Sequence, residues 1–89
     1  MSGDYLNTLG IAQYRTGRYE EALQTLTRSS AMNGGNQVSD LAFLAMTYYR
    51  LGRLAEASAT LLQLQASRND RWSEQQLEFL REAVSLLGG

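Results

Sequence analysis

Apolar positions return at three- and four-residue steps along nearly the whole chain, and the interruptions are few and well marked. From Asp4, the series Leu6, Leu9, Ile11, Ala12 and Tyr14 follows the spacing of an amphipathic helix. Asp4 suits the N-cap, where its carboxylate also meets the positive helix start. Gly17 is the expected stop, since glycine takes the left-handed conformation without a Cβ clash. A second pattern runs over about Tyr19–Met32, with Glu20 and Glu21 in its first turn and Ala22, Leu23 and Leu26 as its apolar stripe. "NGGN", Asn33 to Asn36, breaks the chain. Ser39 or Asp40 then caps a third helix that reaches Leu51 before Gly52, and a fourth runs from about Leu54 to Ala66. After the break "SRND", Ser73 and Gln76 fit a capping box, and Trp72 with Leu77 fits a hydrophobic staple. Leu77, Leu80, Val84 and Leu87 make one apolar face of this last helix, widened by Phe79, Ala83 and Leu86. The pattern predicts an all-α fold of five helices with no strand.

The helices come in two similar pairs. "YRTGRYEEAL", Tyr14 to Leu23, returns as "YRLGRLAEAS", Tyr49 to Ser58. At the same offset Leu6 matches Leu41, Leu9 matches Leu44, Gly17 matches Gly52, Ala22 matches Ala57 and Leu26 matches Leu61. The matches concentrate on small and apolar positions, which is where packing constrains a sequence. Gly10 and Ala22, with Ala45 and Ala57 in the second copy, are small enough to let the helices of each pair approach closely. A helix pair cannot bury its apolar face alone, so the copies should stack, and the Ser73–Leu87 helix is the natural cover for the exposed end of copy two.

Composition mainly removes possibilities. The 89 residues are 44% hydrophobic and 19% charged with a net charge of −1, too apolar for a disordered chain and without a membrane-length apolar run. Cysteine, histidine and proline are absent, and every basic residue is arginine. That excludes disulfides, thiolate or imidazole metal sites, a histidine base and lysine chemistry. Neither a cofactor nor a metal site is expected, and no catalytic set can be assembled. Scattered arginines at near-neutral charge give no footprint for nucleic acid. The N-terminus lacks the basic start and apolar core of a signal peptide, so the expected location is cytoplasmic. "NGGN" lacks the lysine of a phosphate loop and reads as a turn. Glu74, Glu78 and Glu82 form an acidic stripe on the last helix that reads as a solvated face.

The order Leu9-Gly10, Tyr14, Gly17, Tyr19, Ala22, Leu26, repeated as Leu44-Ala45, Tyr49, Gly52, Leu54, Ala57, Leu61, resembles the tetratricopeptide repeat, a helix pair of about 34 residues. Leu6 and Leu41 stand where that family usually has tryptophan, and the usual proline ending each repeat is missing near Gly34 and Asn69. The resemblance implies a right-handed superhelical stack of helix hairpins over a single 1–89 domain. Repeat one would span 4–36, repeat two 38–70, and a C-terminal capping helix 73–87.

The resemblance further implies a non-catalytic module whose first helices line a concave groove for a partner peptide or protein. The groove positions fall on Asn7, Ile11, Tyr14 and Arg15 in copy one, and on Phe43, Met46, Tyr49 and Arg50 in copy two. Aromatic residues, methionine and arginine are typical of interfaces, and arginine forks onto carboxylates, so the expected partner has apolar anchors and acidic groups. The same tyrosines also read as helix-packing residues, and the arginines as solvated or paired with nearby carboxylates. The family's two-carboxylate clamp for chain termini is not assembled at Asn7, Ile11 and Phe43. The chain reads as part of a larger bacterial protein. The alternative is a self-assembly element that dimerises through the uncovered face of copy one or by exchanging its last helix.

Overall fold

A computed structural model describes residues 3–88; Met1, Ser2 and Gly89, the ends of the expected domain, lie outside the described residues. Among these there are five helices and no strand: α1 Gly3–Arg15, α2 Tyr19–Met32, α3 Val38–Arg50, α4 Leu54–Ala66 and α5 Glu74–Leu87. The helices form the expected hairpins, α1 with α2 and α3 with α4, stacked so that α3 lies against both α1 and α2.

Both hairpins turn the same way for the same reason. Gly17 and Gly52 have φ of 82° and 79°, the left-handed region where a side chain would be strained. Each lets the chain fold back so that the next amide bonds deep into the preceding helix: Arg18 N to Gln13 O at 2.8 Å, and Arg53 N to Tyr48 O at 2.9 Å. The arginine after each glycine then pairs with a glutamate three residues on, Arg18 with Glu21 at 3.3 Å and Arg53 with Glu56 at 2.7 Å. The repeated "GR..EA" is therefore a turn and its brace.

Two helix starts differ from the sequence reading. Asp4 lies inside the first turn of α1 rather than at its cap. The N-cap of α3 is Gln37, in extended conformation, so Ser39 and Asp40 fall within the helix. Asp40 is fully buried and serves neighbours other than its own backbone. At α5 the capping box is present in full: Gln76 N donates to Ser73 Oγ at 3.1 Å, and Ser73 N donates to the Gln76 side chain at 2.8 Å.

The core centres on α3, whose residues Asp40 through Thr47 are all buried. A helix buried all round must be covered on every side. Here α1, α2 and α4 cover it as a repeat stack requires, and α5 supplies the remaining wall. Thus α5 does cover copy two, but it leans chiefly on α3 and touches α4 less. The lean leaves Leu54 and Leu62 of α4 exposed, at 57% and 66%.

Close approach within the first hairpin depends on Gly10. A Cβ there would fall 2.6 Å from both Cγ and Cδ2 of fully buried Leu26. Gly10→Ala gains about 1 kcal/mol of helix propensity but overpacks the core at a cost of roughly 1–3 kcal/mol. The expected net result is destabilisation by about 1 kcal/mol, seen as a lower urea midpoint in far-ultraviolet circular dichroism. An unchanged or higher midpoint would show that Leu26 yields freely.

Candidate functional site

Tyr14-Arg15 and Tyr49-Arg50 close α1 and α3, in the last turn before each glycine stop. A cation there complements the helix dipole, which gives the repeated arginines a local reason. Their longer-range partners differ, and that difference builds the site.

Arg15 reaches across to α5. Its guanidinium donates two parallel bonds to Glu82, one of them Nη2 to Oε1 at 3.0 Å, and its Cζ lies 5.1 Å from the centre of the Phe43 ring. The Glu82 hydrogen bond raises the Arg15 pKa above its ordinary value, against the opposing effect of desolvation. The fork geometry makes this a specific contact. Its side chains remain 49% and 35% exposed, so it contributes no more than about 1 kcal/mol to stability.

Phe43 holds the centre. It has no exposure and receives ring edges from both sides: Tyr14 at 5.5 Å and 76°, and Phe79 of α5 at 5.1 Å and 75°. Tyr14 also touches Tyr19 at 5.6 Å. A file of four rings therefore crosses the molecule from α2 through α1 and α3 to α5. Edge-to-face pairs add about 0.5–1.5 kcal/mol each beyond the area they bury.

Arg50 lies beside this file. Its Nε donates a long bond of 3.4 Å to the Tyr14 hydroxyl, the main cause of a raised pKa. The ion pairs among the described residues are Arg15–Glu82, Arg18–Glu21 and Arg53–Glu56, and Arg50 is in none of them. It borders an open cleft lined by Tyr14, Met46, Arg50, Glu82, Ser85 and Leu86.

The remaining groove candidates lie elsewhere or deeper. Met46 is fully buried on the cleft floor, and Tyr14 is only 6% exposed. Ile11 is half-buried against the core, while Tyr49 is 36% exposed. Asn7 lies away from the cleft, where its Nδ2 donates to Ser39 Oγ at 3.0 Å and to Asp40 Oδ1 at 2.7 Å. Asp40 also accepts from Ser29 Oγ at 2.7 Å and from Asn33 Nδ2 at 3.0 Å. A buried carboxylate of copy two is thus held by three donors of copy one. The aromatic face expected to stand open is covered in this chain, and its cover is α5.

The sequence reading did not assign Phe79, Glu82 or Leu86 to this site. Glu82 belongs to an acidic stripe that reads as solvated, and Phe79 and Leu86 read as general core. One signal was available. Residues 41–46, "LAFLAM", are apolar on every side of the helix, whereas the matching stretch of α1 carries Asn7 and Thr8. An extra wall over α3 follows from that contrast.

A tetratricopeptide repeat family model matches residues 13–77, from the last turn of α1 into the first turn of α5. The chain belongs to the tetratricopeptide repeat family. Repeats of this family generally mediate protein–protein interaction and act as non-catalytic scaffolds. The glycine turns, the small residues between paired helices and the stacked hairpins are this chain's version of the tetratricopeptide architecture. No curated protein and no solved structure matches the chain. Among the described residues, no helix is long and apolar enough to cross a membrane, and no cluster of acidic residues is placed to hold a metal ion.

Proposed function

We propose that this tetratricopeptide repeat unit binds a partner protein or peptide on the surface formed by α1 and α3. The contact residues are Tyr14, Arg15, Phe43, Met46 and Arg50, with Asn7, Ile11 and Tyr49 at the margins. The same reading sets the module in the cytoplasm as one segment of a longer bacterial protein. The observation that supports it is α5 itself. A helix already lies on this surface, held by a ring edge on Phe43 and a two-bond fork from Arg15. A surface that accepts one amphipathic helix has the shape and chemistry to accept another. Peptides selected for binding to the full chain test it. Arg50→Ala should weaken those peptides about two- to fivefold, the worth of one exposed ion pair. Retained affinity, with loss instead on Leu62→Ser, would move the binding surface to α4.

Self-assembly is a second reading, favoured by the apolar residues left at both ends of the stack: Tyr5 at 55% exposure on α1, and Leu54 and Leu62 on α4. A single monomeric mass by light scattering at all concentrations would remove it.

A further inference from the structure

The resident helix leaves one cation of the surface without a carboxylate, and this defines the partner more narrowly. Phe79, Glu82 and Leu86 recur at steps of three and four, so they share one face of α5. Phe79 meets Phe43, Glu82 takes Arg15, and Leu86 lies along the cleft with Tyr14 and Met46. Ser85, one helical step beyond Glu82, lines the same cleft as Arg50 but offers no charge. Arg50 makes no ion pair among the described residues.

We infer that the partner is an acidic amphipathic helix that repeats the α5 pattern with a second carboxylate at the place of Ser85. It carries an aromatic residue, a carboxylate three positions on, another three further, and a leucine next to that. This inference rests on the α1–α3 surface being the partner site. Such a helix satisfies both arginines, where α5 satisfies one, and so competes for the seat α5 holds. The competition has a definite scale. A short connector, Ser67 to Ser73 here, keeps α5 at an effective concentration on the order of millimolar. A free helix wins only by fitting better, and the second ion pair supplies the difference.

Trp72, the single tryptophan, precedes α5 and is packed against the core, so its emission reports displacement of that helix. The experiment titrates the full chain with two peptides that lack tryptophan: residues 73–89 in the native sequence, and the same peptide with Ser85→Glu. The Ser85→Glu peptide should reach half-displacement at a concentration about two- to fivefold lower, the effect of one exposed ion pair. This advantage should vanish on the Arg50→Ala chain, whereas Arg15→Glu weakens the resident helix and the native peptide alike and should leave the native half-displacement unchanged. Equal behaviour of the two peptides, or an advantage that survives Arg50→Ala, overturns the inference and leaves the proposed surface standing. Failure of both peptides on a folded Glu82→Arg chain, whose own α5 is loosened, overturns the surface as well.

Discussion

Phe43→Ala should destabilise the protein by about 3–5 kcal/mol, the usual cost of removing a fully buried phenylalanine. Domains of this kind have roughly 5–15 kcal/mol in total, so the variant should be marginal or unfolded at ambient temperature. The magnitude follows from position. Phe43 has no exposure, touches the rings of Tyr14 and Phe79, and carries the Arg15 guanidinium on its face. Its loss opens a cavity between three helices and removes the contact that seats α5. Phe43→Leu keeps most of the volume and should cost under about 2 kcal/mol. Urea unfolding followed by circular dichroism and by Trp72 emission separates the two. A midpoint for Phe43→Ala within error of the parent would show that the ring file contributes nothing to the core.

Asp40→Ala should cost about 2–4 kcal/mol for a different reason. Burying a carboxylate with no cation beside it is expensive, and its three hydrogen bonds do little more than offset that cost. Removing it does not return the expense, because Asn7, Ser29 and Asn33 still point donors into the vacated space. Asn7 keeps Ser39 Oγ and Asn33 keeps Ser29 Oγ, so the cost is that of the bonds lost to the carboxylate, roughly 1 kcal/mol each. Asp40→Asn keeps one acceptor and should lose only about half as much as alanine. The ordering parent, Asn, Ala in urea midpoints is the check. Equal midpoints for Asn and Ala would mean that the network adds nothing beyond filling space.

The fold was legible because tetratricopeptide packing is local and periodic. Gly17 and Gly52 mark turns that depend on one backbone angle, and Ala22 and Ala57 mark contacts that depend on one missing side chain. Such constraints are visible at single positions. The bounds of α2 and α4, Tyr19–Met32 and Leu54–Ala66, follow from the same periodicity. The placement of α5 was not legible in that way. Its capping box and apolar face establish a helix, but an amphipathic helix does not state which neighbour it will cover. Arg15 and Glu82 are far apart in the chain, and nothing local links them. Asp40 was misassigned because an acid near a helix start has a sufficient local explanation as a cap, and that explanation hides a tertiary one.

The Asp40 network also bears on how the surface can move. Apolar contacts between stacked helices have no preferred direction, so such stacks flex by sliding. Bonds from Asn7, Ser29 and Asn33 onto one carboxylate are directional, and they tie α1 and α2 to the start of α3. These bonds favour one relative twist of the two hairpins, and with it one curvature of the face they share. An incoming helix would meet a preset face on α1 and α3, and accommodation would fall to α5, which joins the stack through a connector and a half-exposed ion pair.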